Sequence, residues 1–309
     1  MKQFTQLSDV PNPQELIEKV LRIKGTQNLD FGKGKNLSML FFNPSLRTRL
    51  STQNAAYNLG MSVSTLEAGQ AWKLETEPGA VMVGDAQEHI CDAIRVMSLY
   101  TDILAVRAFP SLTNKEEDYA EKLLNACIKY SEKPVISLES ATRHPLQSLA
   151  DMATIHSFGL KRPKIAVTWA PHPKCLPQAV VNSFLEWSRV LDAEIVLAHP
   201  KGYELDKQFT AGIQITNNQE EALEGADFVY CKNWSSYTSY GQKLEVEESW
   251  TVTEQKMAKT NAGKFMHCLP VRRNVVVSDA VLDSSIVYRQ AENRLWSAQA
   301  VLHEIISEL

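Results

Sequence analysis

The sequence predicts an α/β protein with two doubly wound parallel-sheet domains and a cleft between them. Short β-branched or apolar runs alternate with helix-length polar segments along most of the chain, which is the pattern of βαβ units in a parallel sheet. The 309 residues are enough for two α/β domains of ordinary size, each with its own hydrophobic core. Polar, turn-prone groups follow several predicted strands, as expected where a parallel sheet carries a ligand site.

Four strands are predicted in the first half of the chain, at residues 37–42, 61–66, 103–109 and 134–139. Each is rich in apolar or β-branched residues, and helix-length polar segments separate them. Residues 147–158 then form an amphipathic pattern that predicts the helix passing from the first domain to the second. Gly159 and Pro163 indicate the end of that helix, because glycine favours C-caps and proline cannot continue a helix.

Five strands are predicted in the second half, at residues 164–170, 194–198, 213–216, 227–232 and 264–269. A last helix, at about residues 292–309, is predicted to return to the first domain. We therefore divide the chain into a first domain at 1–146, a second domain at 147–290 and a C-terminal helix at 291–309 that packs back on the first domain.

The composition is that of a globular protein and excludes two classes of partner. Hydrophobic residues make up 44% and charged residues 22% of the chain, and the formal net charge of -4 provides no broad basic surface for nucleic acid. No apolar run approaches the roughly 20 residues that span a bilayer, and the polar start lacks the apolar stretch of a secretory signal. We therefore predict no nucleic-acid partner, no membrane partner and a cytoplasmic location.

Cysteine usage and the missing cofactor motifs limit the chemistry further. The five cysteines are scattered and never spaced as C-x-x-C, which argues against a disulfide framework and a zinc site. Cys268 follows His267, but neighbouring side chains of an extended segment point to opposite faces, which disfavours a covalent cysteine mechanism. The chain also lacks the G-x-G-x-x-G and H-E-x-x-H patterns. The sequence therefore predicts no nucleotide cofactor and no catalytic metal.

The segment from Asn43 to Arg49 follows the first predicted strand and opens a helix-compatible stretch. Ser45 and Thr48 can offer hydroxyls and backbone N–H groups at the start of that helix, and Arg47 and Arg49 add guanidinium groups suited to phosphate oxygens. The sequence therefore predicts a site for a phosphate-bearing small molecule. An ordinary helix start with solvated arginines is the alternative interpretation.

Two further segments carry polar groups just after predicted strands, where ligands of open α/β sheets bind. His144 and Gln147 follow the last strand of the first half, and His267 follows the last strand candidate of the second half. A histidine before proline is also common in turns, which is the alternative for His144. Arg107 lies at the end of another apolar strand, where a buried guanidinium group needs an anion.

Taken together, these segments resemble the transcarbamylase (aspartate/ornithine carbamoyltransferase) family, whose members transfer a carbamoyl group from carbamoyl phosphate to an amine. The resemblance implies that the first domain binds carbamoyl phosphate, that no cofactor takes part and that the chain acts in arginine biosynthesis. The catalytic residues that it implies are Arg107, His144, Gln147, Cys268 and Arg294. The carbamoyl phosphate contacts that it implies are Ser45, Leu46, Arg47, Thr48, Trp72, Arg107, His144, Gln147, Cys268, Leu269 and Arg294.

The second substrate is indicated by a departure from the commonest pattern of that family. Members that act on free ornithine carry an aspartate and a Ser-Met-Gly loop for the charged α-amino group, whereas the matching stretch here, from Tyr230 to Tyr237, has neither and contains Lys232. A lysine repels an ammonium group and suits a carboxylate. The chain therefore resembles the N-acylornithine subgroup. This resemblance implies that the second domain binds the acylated ornithine, with contacts from Glu139, His172, Lys232 and Arg272.

The subgroup also implies self-association, as a homotrimer with shared active sites in which Trp72 reaches a neighbouring subunit's site. Two positions bear on the acyl group. The position of Gln87 holds a glutamate in acetyl-type members and a proline in succinyl-type members, and a glutamate would repel a succinyl carboxylate. The acetyl-type pattern also has a lysine near Gln299. We favour N-succinylornithine as the substrate, with N-acetylornithine as the alternative. A non-catalytic small-molecule-binding protein and a dehydrogenase of similar architecture are the hypotheses from other classes.

Overall fold

The computed structural model describes residues 1–68, 73–77, 79–246 and 249–309. The chain forms two compact units. Unit 1 comprises Met1–Ser111, Glu116–Leu146 and Arg294–Leu309, and unit 2 comprises Leu112–Lys115 and Gln147–Asn293. Each unit contains one five-stranded sheet, and the pairings among the described strands of both sheets are parallel. These sheets confirm the predicted α/β fold class.

The first part of the chain supplies the sheet of unit 1. Its elements, in chain order, are β1 (Gln3–Phe4), α1 (Pro13–Arg22), β2 (Asn36–Phe41), α2 (Leu46–Asn58), β3 (Ser62–Glu67), β4 (Leu74–Glu75), β5 (Glu88–His89), α3 (Ile90–Tyr100), β6 (Ile103–Arg107), α4 (Lys115–Tyr119), α5 (Lys122–Tyr130), β7 (Val135–Glu139) and α6 (Pro145–His156). The strands of the sheet are ordered β1-β7-β6-β2-β3, and β4 pairs with β5 separately.

The remaining elements supply the sheet of unit 2 and the last helix. They are β8 (Lys164–Trp169), α7 (Ala179–Ser188), β9 (Glu194–Ala198), α8 (Lys207–Thr210), β10 (Gln214–Thr216), α9 (Gln219–Leu223), β11 (Phe228–Lys232), α10 (Glu254–Met257), β12 (Lys264–Met266), α11 (Asp279–Asp283) and α12 (Val287–Ile306). The strands are ordered β10-β9-β8-β11-β12. No helix of the described residues is long and apolar enough to cross a membrane.

Burial explains which strands are central. Every residue of β6 and β7 is buried, and so is all of β2 except its first residue, whereas β3 at the sheet edge has no buried residue. Strands that are covered on both faces have continuous apolar sequences, which is why these strands could be predicted from the sequence. Each fully buried aliphatic side chain in such a strand stabilises the fold by about 1.5–3 kcal/mol. The core therefore holds the strand ends in fixed positions.

Each sheet has one point at which the strand order reverses. In unit 1 the chain runs from β2 to β3 on one side and later returns to β6 on the other side of β2. In unit 2 the chain runs from β8 through β9 to β10 and later returns to β11 beside β8. Ligands of open α/β sheets bind at the carboxyl ends of the strands at such a point. The candidate positions are thus the ends of β2 and β6 in unit 1, and of β8 and β11 in unit 2.

Two predicted strand ends are wrong. The strand predicted at 103–109 ends at Arg107, and the strand predicted at 264–269 ends at Met266. In the second case β12 stops at Met266, and Leu269 further on has a φ of +55°, in the left-handed region that costs a residue with a side chain about 1–2 kcal/mol. Residues 267–269 therefore form a turn at the sheet edge and not a continuation of β12.

Candidate active site

The predicted phosphate site lies at the start of α2, directly after β2. Ser45 is the N-cap residue, with φ and ψ of −157° and 127°, and its Oγ accepts a hydrogen bond from Thr48 N at 3.3 Å. The N–H groups of Leu46 and Arg47 belong to the first turn of this 13-residue helix. Backbone donors and the helix dipole favour an anion there.

Five polar side chains form a buried cluster in unit 1. Arg107 Nη1 lies 2.7 Å from Glu139 Oε2 and donates to Thr48 Oγ1 at 3.1 Å. Arg294 Nη2 lies 3.5 Å from the same Thr48 oxygen, and Arg294 Nη1 lies 3.4 and 3.3 Å from the two ring nitrogens of His144. His144 Nε2 lies 3.3 Å from Glu139 Oε2. All five residues are at most 7% exposed, so their charges need compensation within the protein or from a ligand.

The cluster offers charged donors to an anion. Two guanidinium groups, of Arg107 and Arg294, lie here beside the carboxylate of Glu139 and the ring of His144. Arg107 Nε is also buried without a hydrogen-bond partner among the described residues. A buried guanidinium group with an unused N–H donor is stabilised when an anion binds beside it. Because Thr48 belongs both to this cluster and to the first turn of α2, the two features together suit a phosphate group.

Glu139 belongs to this cluster of unit 1, although the sequence analysis assigned it to the acylated amino acid. The anion that a buried Arg107 requires is therefore supplied in part by the protein itself. The pairing follows from a shift in the parallel register between Val106 and Arg107, which sets Arg107 opposite Glu139 on the neighbouring strands β6 and β7. Sequence reasoning missed this contact, because the register can be read only after the strand neighbours are known.

Lys232 ends β11, next to the switch point of unit 2, and is 8% exposed. Its Nζ donates to Asn233 O at 3.2 Å, and Asn233 Nδ2 donates to Ala170 O at 2.7 Å, which joins the ends of β11 and β8. A buried ammonium group is costly unless an anion or several acceptors compensate it. The position at the carboxyl ends of these strands suits a contact with a substrate carboxylate.

His172 lies in the loop after β8 and contacts Arg272. Its Nε2 is 3.3 Å from Arg272 Nε, and its Nδ1 is 3.0 Å from both the backbone N and the backbone O of Lys174. Because a guanidinium N–H can only donate, Nε2 is the acceptor in the contact with Arg272, and Nδ1 lies within reach of both a backbone donor and a backbone acceptor of Lys174. Burial, together with the positive charges of Lys232, Arg272 and Lys174, lowers the pKa of His172 from its usual 6.5. A neutral His172 therefore orients Arg272.

We expect the ring of His172 to titrate below pH 6.5 and to be neutral at pH 7. Since Arg272 is one of the charges that lower this pKa, Arg272→Gln should move the pKa of His172 upward. The measurement is a histidine NMR titration of both proteins, with His172→Gln as the variant that assigns the signal. A wild-type titration midpoint of His172 at or above pH 6.5 would contradict this prediction. So would a midpoint that is the same in the wild type and in Arg272→Gln.

The turn after β12 carries Cys268 and Leu269. His267 N donates to Gln290 Oε1 at 3.0 Å, and Leu269 N donates to His267 Nδ1 at 2.9 Å. The second bond holds the peptide group between Cys268 and Leu269, whose carbonyl is one of the two that the resemblance assigns to the carbamoyl group. His267 is buried, whereas Cys268 is half-buried. Gln147, which is 4% exposed, lies in the first turn of α6.

Two further predictions from the sequence concern Trp72 and the absence of a metal site. Trp72, predicted to reach a neighbouring subunit, lies outside the described residues. Within the described ranges, no group of three or more His, Cys, Asp or Glu side chains could hold a metal ion.

Comparison with known families gives two matches that cover most of the chain. Residues 2–157 match the aspartate/ornithine carbamoyltransferase carbamoyl-P binding domain, and residues 177–305 match the Asp/Orn binding domain of the same family. The first match contains Thr48, Arg107, Glu139 and His144 of the cluster of unit 1, and the second contains its fifth member, Arg294, together with Lys232, His267 and Arg272.

Individual relatives agree with these matches. The chain is 50% identical to N-succinylornithine carbamoyltransferase of Bacteroides fragilis, with 100% of both chains covered. It is 38% identical to N-acetylornithine carbamoyltransferase of Xanthomonas campestris pv. campestris, over 89% of this chain and 88% of the relative. Among solved structures, it is similar to a single-site variant of N-acetyl-L-ornithine transcarbamylase complexed with carbamyl phosphate and N-succinyl-L-norvaline. That structure has a TM-score of 0.90 and 34% identity, and the match covers 99% of this chain and 100% of the solved chain.

Proposed function

The chain belongs to the aspartate/ornithine carbamoyltransferase family, and on that premise we propose that it transfers the carbamoyl group of carbamoyl phosphate to the side-chain amine of N-succinylornithine. The products are N-succinylcitrulline and phosphate, in a step of arginine biosynthesis. The observation that carries the proposal is the buried cluster of unit 1, whose Arg107 contacts Thr48 in the first turn of α2. N-acetylornithine is the alternative second substrate.

The phosphate group of carbamoyl phosphate is the anion that we assign to the cluster of unit 1 and the start of α2. Ser45, Leu46, Arg47 and Thr48 offer it hydroxyls and N–H groups of the first helical turn, and Arg107 and Arg294 offer it charged donors. Charge-assisted hydrogen bonds of this kind are about twice as strong as neutral ones. They also stabilise the charge that builds on the leaving group as the bond to the carbamoyl carbon breaks.

The chemical step needs no covalent intermediate. The unprotonated side-chain amine attacks the carbamoyl carbon, the new C–N bond forms, the C–O bond to phosphate breaks, and the proton released by the amine leaves with the phosphate. Negative charge develops on the carbamoyl oxygen, where His144 and Arg294, which contact each other at 3.3 Å, are the proposed donors. Gln147 and the carbonyl groups of Cys268 and Leu269 are the proposed contacts of the carbamoyl amide. The remaining contribution is alignment of the two substrates.

The residues of unit 2 favour a second substrate with carboxylates and a neutral α-nitrogen. Lys232 is a buried cation, and Arg272 is a second cation oriented by neutral His172. Acylation removes the positive charge of the α-amine, so an N-acylated ornithine presents only its carboxylates to these cations. Free ornithine would bring an ammonium group beside them, which is unfavourable in a desolvated site.

The succinyl group is favoured over acetyl by two positions of unit 1 and by the relatives. Gln87 is exposed and neutral where acetyl-type members carry a glutamate. Gln299 is buried, donates to Thr26 O at 3.0 Å and accepts from Asn58 Nδ2 at 2.9 Å. An acetyl-type lysine at this position would have no acceptor to offer Asn58. The 50% identical relative acts on N-succinylornithine by name, and variants of the acetyl enzyme with one glutamate replaced are complexed with N-succinyl-L-norvaline.

We expect Gln87→Glu to shift the preference from N-succinylornithine toward N-acetylornithine by about 3- to 10-fold. The added carboxylate repels the terminal carboxylate of the succinyl group by about 1 kcal/mol at an exposed, solvated position, while acetyl carries no charge there. The measurement is the ratio of kcat/KM for the two substrates. Gln87→Ala is the matched neutral control and should leave the ratio unchanged, and the Gln87→Glu effect should shrink as salt is raised. A ratio that Gln87→Glu does not alter would remove Gln87 from the acyl site.

The proposed function is tested by mixing the purified protein with carbamoyl phosphate and N-succinylornithine, and by following phosphate release and N-succinylcitrulline together. We expect equal amounts of both products. A protein that binds both compounds without forming either product would instead support the non-catalytic binding hypothesis. A homotrimeric assembly with shared sites and a cytoplasmic location are parts of the same proposal.

A further inference from the structure

Asp151 is a fully buried carboxylate in unit 2 that the proposed chemistry does not use. It lies on α6, one helical turn after Gln147, and its exposed fraction is 0%. Its Oδ1 accepts from Gln147 Nε2 at 2.7 Å and from Gln290 Nε2 at 2.7 Å. One oxygen of an acidic group thus receives amide groups from two helices, α6 and α12.

An ionised carboxylate can only accept hydrogen bonds, so it fixes which end of each neighbouring amide faces it. Both glutamines turn their nitrogen toward Asp151, and each amide oxygen is therefore directed elsewhere. For Gln290 the outcome is visible, because its Oε1 accepts from His267 N at 3.0 Å. His267 Nδ1 then accepts from Leu269 N at 2.9 Å. A continuous series of hydrogen bonds runs from Gln147 through Asp151 and Gln290 to the turn at 267–269.

We propose that Asp151 is a positioning residue that makes the site selective for the amide end of carbamoyl phosphate. Its carboxylate holds Gln147 so that Oε1 acts as an acceptor toward the N–H groups of the carbamoyl amide. Through Gln290 it also holds the turn that carries Cys268 and Leu269. Asp151 itself touches no substrate in this arrangement. The inference rests on the proposed function, because it assigns Gln147 to the carbamoyl group.

The orientation of the Gln147 amide can be tested with acetyl phosphate. This compound has nearly the shape and charge of carbamoyl phosphate but carries a methyl group in place of the amide NH₂. If Gln147 Oε1 faces that position, it accepts a hydrogen bond from the NH₂ group of carbamoyl phosphate. The methyl group of acetyl phosphate cannot donate, so the same oxygen is left without a partner. A glutamine free to turn its NH₂ toward the ligand would lose this discrimination. The preference for carbamoyl phosphate over acetyl phosphate therefore reports the orientation of Gln147. A general loss of stability would weaken the binding of both ligands alike.

The test measures the dissociation constants of freshly prepared carbamoyl phosphate and of acetyl phosphate by calorimetry, on the full-length protein. In the wild type we expect carbamoyl phosphate to bind about 5-fold or more tightly than acetyl phosphate, as one well-placed hydrogen bond gives. Asp151→Leu should bring the two constants to within about 2-fold, because leucine offers the amides no acceptor. Asp151→Asn should lower the preference at least about 2-fold, because a neutral amide can face either way and accepts more weakly.

Thr154→Val is the matched control. Thr154 lies on the same helix, and its Oγ1 accepts from Asn293 Nδ2 of α12 at 2.8 Å, so the variant removes one buried bond between the same two helices without touching Gln147. It should keep the wild-type preference. A folded Asp151→Leu protein with the wild-type preference would overturn the inference. If that variant does not fold, an Asp151→Asn protein with the unchanged wild-type preference would overturn it.

Failure of the inference can be separated from failure of the proposed function. A wild type that releases phosphate from carbamoyl phosphate in the presence of N-succinylornithine, together with variants of unchanged preference, would overturn only the role of Asp151. A wild type that binds neither acyl phosphate would overturn the proposed function and this inference with it.

Discussion

Replacing Arg107 with methionine is expected to lower kcat/KM for carbamoyl phosphate by about 10- to 150-fold, because a hydrogen bond to a charged group contributes about 1.5–3 kcal/mol. The same change should destabilise the protein by about 3–5 kcal/mol, since Glu139 would lose the cation that lies 2.7 Å away in a buried site. The two effects have different causes and can be measured separately. Steady-state kinetics at limiting carbamoyl phosphate gives the first, and urea unfolding gives the second.

A double variant separates binding from stability. Removing both charges with Arg107→Met and Glu139→Met should restore much of the stability, because replacing a buried ion pair by apolar side chains is often neutral. The kinetic defect should remain, because the phosphate group still lacks its donor. A double variant that regains both stability and turnover would show that Arg107 has only a structural role.

Arg49 provides the matched control for Arg107. It lies in α2, in the segment predicted to bind phosphate, but it forms an ion pair with Glu67 and its guanidinium group lies 5.0 Å from the ring centre of Phe41. Its side chain is 36% exposed, and a partly exposed pair contributes about 1 kcal/mol or less. Arg49→Met should therefore change kcat/KM for carbamoyl phosphate little.

Replacing Lys232 with methionine is expected to lower kcat/KM for N-succinylornithine by about 10- to 150-fold through loss of a charge-assisted contact with a substrate carboxylate. Free ornithine should lose less, because the change also removes a repulsive charge near its α-ammonium group. The ratio of kcat/KM for N-succinylornithine to kcat/KM for free ornithine should therefore fall. Lys174→Met, at an exposed lysine of the same neighbourhood, is the control and should leave the ratio near that of the wild type. Equal losses for both substrates would contradict a role of Lys232 in discrimination.

The sequence predicted the parallel sheets well because their central strands are buried on both faces. β2, β6 and β7 are continuous apolar runs, and each ends within two residues of its predicted end. The strand β1 (Gln3–Phe4) was not predicted. Two residues at a sheet edge leave no periodic pattern, and β1 is recognisable only through its pairing with β7.

The sequence identified the residue types of the site but not their partners. Arg107 and Glu139 are 32 positions apart in the chain, and their contact depends on β6 and β7 being neighbours in register. The hydrogen bond that Gln147 donates to Asp151 is different, because a spacing of four on a helix is visible in the sequence. The contact of Asp151 with Gln290 requires the packing of α6 against α12 and could not be predicted from either segment alone.

The most direct test of the account is the kcat/KM of the wild type for free ornithine, N-acetylornithine and N-succinylornithine, measured side by side at saturating carbamoyl phosphate. We expect N-succinylornithine to be the best of the three substrates. Free ornithine should be worse by about 100-fold or more, since an uncompensated charge in a buried site costs about 3 kcal/mol or more. A higher value for N-acetylornithine would correct only the acyl group. Efficient turnover of free ornithine would contradict the central claim that this carbamoyltransferase acts on an acylated ornithine.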